Sequence, residues 1–141
     1  MAPTLSVYFD GGCPLCSREI DHYRGKDTAG RIRFVDIDAL GFDAAGEGLD
    51  PDRVQRVMHA RLASGEIVSG VAAFAAVWDT LPGHAWMARL VRRPGVRTAA
   101  AFGYAAFARI RPLLPRRRAT CGDGACALPP SQRPRRRDAR A

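Results

Sequence analysis

Between Leu5 and Phe9 the chain alternates, with Leu5, Val7 and Phe9 on one face and Tyr8 on the other. That pattern predicts a short buried strand, and Asp10-Gly11-Gly12 closes it with a turn signal. The period then changes. Cys16, Ile20 and Tyr23 recur at i, i+4 and i+7, Pro14 stands where a first helical turn tolerates proline, and Gly25 ends the run. A helix therefore follows the strand directly. Ile32–Ile37 reads as a second strand, and Asp50-Pro51-Asp52 as the capped start of a short helix. Met58–Leu62 and Ile67–Ser69, joined across Ala63-Ser64-Gly65-Glu66, predict a hairpin. A third helix runs from Val71 to about Leu81, with Val71, Phe74, Ala75, Trp78 and Leu81 on one face and Pro82-Gly83 as its stop. Two further helical stretches, 85–92 and 96–111, are separated by Pro94-Gly95. The order β-α-β-α-β-β-α predicts an α/β fold.

The chain has 141 residues, 47% of them hydrophobic and 26% charged, which suits one domain with an extension rather than two cores. No internal repeat is visible. From Pro112 onward prolines interrupt any helix and few apolar side chains remain, so residues 1–111 are expected to form the domain. Residues 112–141 read as a flexible Arg/Pro-rich tail carrying Cys121 and Cys126. The net charge of +8 belongs to the second half: residues 1–60 carry 7 basic and 10 acidic side chains, residues 61–141 carry 15 and 4. The tail lacks the aromatics that stack on bases, which excludes specific nucleic-acid recognition and leaves weak contact with nucleic acid or anionic lipid. The first ten residues lack the basic start of a secretory signal, and no apolar run approaches the ~20 residues of a membrane span. A soluble cytoplasmic protein is the expectation. Nothing in the sequence fixes an oligomeric state.

Four cysteines occur as two close pairs, Cys13/Cys16 and Cys121/Cys126. In a reducing compartment such spacing is more often catalytic or metal-binding than a structural staple. At a helix N-terminus the unpaired amides and the positive end of the dipole favour a thiolate at Cys13, while Cys16, one turn on, is placed to close a disulfide. Cys13 would attack and Cys16 resolve, the asymmetry that thiol-disulfide exchange needs. C-x-x-C is also half of a zinc site. Here the pair leads into a helix, and the second pair has four residues between its cysteines, so exchange is preferred. The competing reading is a non-enzymatic zinc-binding or interaction module using Cys13, Cys16, Cys121 and Cys126. Asp10 can serve as proton acceptor for Cys16 or cap the turn, and both roles stay open. Cys121 and Cys126, in a glycine-rich stretch, can form a secondary redox pair. His22, His59 and His84 share no metal-ligand spacing, Asp36 and Asp38 are read as ending a strand, and no cofactor or metal is expected. Residues 96–111 carry Phe102, Tyr104, Phe107 and Ile110 among arginines. That pattern suits a helix packed over a sheet, or a membrane-surface helix.

Asp10, Cys13 and Cys16 in D-G-G-C-P-L-C, behind Val7-Tyr8-Phe9, resemble the signature of the DCC family of thiol-disulfide oxidoreductases, named for that Asp-Cys-Cys pattern. The likeness extends over roughly residues 5–126, through Phe34–Ile37, the hairpin ending Gly65–Gly70 and the segment Tyr104–Arg111. It implies a thioredoxin-like fold, a central mixed sheet of about four strands flanked by helices, with extra C-terminal helices. It also implies exchange with a protein or small-molecule disulfide or dithiol, through Cys13 and Cys16 with Asp10 in support. One departure stands out. Thioredoxin-like redox proteins usually place a cis-proline before the strand facing the cysteine pair, and here Arg56-Val57 precedes Met58-His59.

Overall fold

A computed structural model describes residues 2–115, so Cys121, Cys126 and most of the basic tail lie outside the described residues. Strands β1 (Leu5–Phe9), β2 (Ile32–Asp36), β3 (His59–Leu62) and β4 (Ile67–Ser69) form one mixed sheet in the order β2-β1-β3-β4. Strand β1 runs parallel to β2, Leu5 opposite Ile32 and Phe9 opposite Asp36. It runs antiparallel to β3, which is antiparallel to β4. A parallel pair needs a crossover, and helix α1 (Pro14–Lys26) supplies it. Helices α2 (Pro51–Arg56), α3 (Val71–Thr80), α4 (Ala85–Val91) and α5 (Pro94–Ile110) follow in chain order, and a single 3-10 turn, Arg111–Leu113, ends the described chain. This is a thioredoxin-like α/β arrangement.

The alternation in β1 decides which residues enter which layer. Leu5, Val7 and Phe9 pack with Ile20 and Tyr23 of α1 and Ala73, Ala76 and Val77 of α3, so both helices cover one face. Tyr8 points to the other face and packs with Ile37, Leu49 and Val54. Each fully buried apolar side chain of this size contributes roughly 1.5–3 kcal/mol. Tyr8 can be buried because its hydroxyl has partners: it donates to Glu47 at 2.7 Å and accepts from Arg61 Nε at 3.3 Å. Asp50 caps α2 as the sequence predicts, its carboxylate accepting from the amides of Asp52 and Arg53 at 2.9 and 3.1 Å.

Three expectations need correction. The core-facing residues of α3 are Ala73, Ala76 and Val77, followed by Leu81, while Phe74 and Trp78 are only partly buried. Small side chains let the helix sit close to the sheet, and the aromatics are left to bridge to neighbouring helices. Pro94 does not lie between two helices: it occupies the first turn of α5, where its missing N–H costs nothing. And α5 does not cover the sheet. Both sheet faces are already occupied, so α5 leans on the helical layer, with Ala100 against the cluster of Ala75, Ala88 and Val91 and Tyr104 against Phe74, ring centroids 5.6 Å apart.

Candidate active site

The junction between β1 and α1 is fixed by backbone hydrogen bonds before any thiol chemistry is considered. Gly11 N–H donates to Asp36 at the end of β2 (2.9 Å), and Gly12 N–H donates to Asp10 Oδ1 (2.9 Å). Cys13 N–H donates to the Asp10 carbonyl at 3.1 Å, and the Ser17 hydroxyl to the Gly11 carbonyl at 2.9 Å. The chain therefore turns tightly from strand to helix and sets Cys13 at the N-cap, in extended conformation with φ −86° and ψ 118°. Its Sγ accepts from the Cys16 amide at 3.4 Å, the role a Ser or Asp oxygen usually plays. A thiolate fills that role better than a thiol, because the cap faces unpaired N–H groups and the positive end of the helix dipole.

The two reduced thiols are unlike each other. Cys13 is buried, 2% exposed, and Cys16 is partly exposed. The Cys16 thiol is pushed up to about 12, chiefly by burial of the sulfur and then by its hydrogen bond to Cys13, with the Asp10 charge adding and the Arg111 guanidinium opposing.

Arg111 is the residue that sequence reasoning missed. The sequence offers it only as one of the arginines that accompany the aromatics of residues 96–111, yet it is 6% exposed. Its Nη2 lies 3.0 Å from Asp10 Oδ2, and Nη1 donates to the Arg56 carbonyl at 3.2 Å. The guanidinium is also electrostatically coupled to both cysteines. A signal for it existed: Arg111 stands seven residues after Tyr104 and four after Phe107, on the one stripe of α5 that packs inward. Beside it, Met58 N–H donates to the Tyr104 hydroxyl at 2.8 Å, and burial raises the Tyr104 phenol above its ordinary value. The segment Arg56–Met58, where thioredoxins carry their cis-proline, thus has one carbonyl and one amide taken by the C-terminal end of the domain. None of the described residues has a cis peptide bond.

Asp10, Cys13 and Cys16 are brought together as the motif predicts, and Asp10 both caps the turn and pairs with Arg111. Asp36 ends β2 and, beyond that expectation, holds Gly11. His59 is buried, its Nδ1 2.8 Å from the Val57 carbonyl. Among the described residues no group of three or more His, Cys, Asp or Glu could hold a metal ion, and Cys121 and Cys126 fall outside them. No helix among the described residues is long and apolar enough to cross a membrane.

A sheet of this topology with a dithiol at the start of its first helix defines the thioredoxin-like class of thiol-disulfide proteins. A family model described as DCC1-like thiol-disulfide oxidoreductase matches residues 7–117, and the chain belongs to that family. An uncharacterized chloroplastic protein of Arabidopsis thaliana is 33% identical over 85 residues, 59% of this chain and 39% of the plant protein. The match thus spans about two fifths of that relative's length. No solved structure matches the chain significantly.

Proposed function

We propose that the protein is a thiol-disulfide oxidoreductase in which Cys13 is the nucleophile and Cys16 the resolving thiol. The observation that carries this reading is the inequivalence of the sulfurs: Cys13 Sγ caps α1 and accepts the Cys16 amide at 3.4 Å, while the Cys16 thiol is held protonated up to about 12. Thiolate, not thiol, attacks disulfides. Asp10 supports the pair by fixing the turn and by balancing Arg111. Substrates in this reading are protein or small-molecule disulfides and dithiols.

Exposure favours a second reading, in which the substrate meets Cys16 first, since Cys13 is the more buried residue. Protonation opposes it. With its proton held up to about 12, Cys16 is overwhelmingly the protonated thiol at neutral pH. In the proposed reading the substrate disulfide is attacked by the Cys13 sulfur at the N-terminus of α1. Trapping separates the two. Incubated with a disulfide substrate such as oxidised glutathione, the Cys16→Ser variant should accumulate a mixed disulfide on Cys13, and the Cys13→Ser variant should not. Mass spectrometry that finds the adduct on Cys16 of the Cys13→Ser variant instead overturns the assignment.

A further inference from the structure

We propose that Arg111 is a positioning residue of this dithiol: its buried guanidinium, paired with Asp10 at the turn that seats Cys13, holds the dithiol in its thiolate-bearing form. The inference rests on the reading of Cys13 as nucleophile and names the residue that makes it one. A guanidinium cannot shed its proton inside a protein, so a buried arginine must be surrounded by acceptors and anions. Arg111 has one carboxylate, Asp10, at 3.0 Å, in a pair whose side chains are 5% and 1% exposed, and one carbonyl, that of Arg56. Among the described residues its buried Nε has no hydrogen-bond acceptor. Burial works against its charge, while Cys16, Asp10 and Cys13 outweigh that and raise its affinity for the proton. The other titratable groups facing the sulfurs are Asp10 from the end of β1 and Tyr104 from α5, and the phenol, raised by burial, is neutral at physiological pH.

Charge in the site then follows the redox state. The Cys13 thiolate attacks one sulfur of a substrate disulfide, forming a mixed disulfide and expelling the other sulfur as a thiolate. Cys16 gives its proton to solvent or to that leaving group, attacks the Cys13 sulfur, and releases the second substrate thiolate. Two electrons pass to the substrate, and the protein holds the Cys13–Cys16 disulfide. In that oxidised form Asp10 alone balances Arg111. In the reduced form two anions, Asp10 and Cys13, surround one cation. Arg111 therefore stabilises the reduced thiolate form and Asp10 destabilises it, so the two members of one ion pair act on the dithiol with opposite signs.

That opposition is the test. In the full chain carrying Cys16→Ser, alkylation of the Cys13 peptide by iodoacetamide is followed by mass spectrometry across pH. The midpoint is read rather than the rate, because altered access changes the rate at every pH alike. Arg111→Gln should raise the midpoint by about one pH unit or more, the scale of a nearby opposite charge, and Asp10→Asn should lower it. Arg111→Lys, which restores the charge, should return it toward the parent value. A purely structural ion pair would shift both variants in the same direction or neither, and either outcome overturns the proposal. If Arg111→Gln does not fold, Asp10→Asn decides alone: a lowered midpoint supports the proposal and an unchanged or raised one overturns it. Failure of the wild-type protein to exchange with disulfides would sink the proposed function while leaving the alkylation midpoints to report on Arg111.

Discussion

Gly11 occupies a point where no side chain fits. A Cβ there would lie 2.0 Å from an Asp36 carboxylate oxygen, and that carboxylate cannot simply turn away, because its Oδ1 accepts from the amides of both Gly11 and Asp38. Gly11→Ala is expected to cost about 1–3 kcal/mol, measured as a fall in the urea midpoint, through lost hydrogen bonds and overpacking. The sequence marked Asp10-Gly11-Gly12 as a turn but could not show that β2 supplies the carboxylate seating it, since that contact spans 25 residues. Cys16 carries a pH prediction. Its thiol stays protonated in the folded protein up to about 12 but ionises near its ordinary value of 9.0 when unfolded. Above pH 9 the unfolded chain therefore binds fewer protons than the folded one, and stability falls as pH rises toward 12. Chemical denaturation of the reduced protein between pH 8 and 11 should show a steeper loss than that of Cys16→Ser, which lacks the group. Equal slopes would mean that the Cys16 thiol is not held protonated.

At the scale of elements, the strand-to-helix junction was legible because two periods meet there: Leu5, Val7 and Phe9 alternate, then Ile20 and Tyr23 recur at helical spacing, and all five are buried where those periods place them. Helix α5 was harder to read. Phe102, Tyr104, Phe107 and Ile110 do not share one stripe, and Phe102 and Ile110 remain 75% and 53% exposed. Its packed edge runs instead through Ala100, Tyr104, Phe107 and Ala108 to Arg111, an assignment that depends on which side α3 and α4 leave available. Tyr104 fastens that edge to the loop before β3. Removing only its hydroxyl, in Tyr104→Phe, keeps the ring contact with Phe74 but leaves the Met58 amide without its acceptor. The expected loss is about 1–2 kcal/mol, within the range for an unsatisfied buried donor. Hydrogen exchange should show the Met58 amide losing protection more than amides in the centre of β1. Uniform loss across the sheet would indicate general destabilisation instead.

The whole molecule divides by charge and by what there is to bury. Residues 116–141 hold eight arginines against Asp123 and Asp138, six of the eight net positive charges, yet apart from prolines and alanines their only aliphatic side chain is Leu128. Their composition therefore offers little apolar surface to bury. Residues 100–111 are the reverse case: Arg109 and Arg111 stand among Phe102, Tyr104, Phe107 and Ile110, and the segment supplies Tyr104 to Met58 and Arg111 to Asp10. The prolines that begin at Pro112 predict a boundary after residue 111, while what ties Arg111 to the domain is a partner 101 positions earlier. We therefore expect two truncations to behave oppositely. A chain ending at Pro115 should keep the thermal midpoint and the Cys13 alkylation profile of the full protein, and should elute from a cation exchanger at lower salt because most of its net charge is gone. A chain ending at Ala108 loses Arg111 and with it the counter-charge of the buried Asp10, at a cost of about 3–5 kcal/mol for an ion pair broken from one side. Its thermal midpoint should fall sharply and its alkylation profile should move to higher pH. If both truncations match the full protein, the C-terminal end of α5 holds neither the fold nor the dithiol.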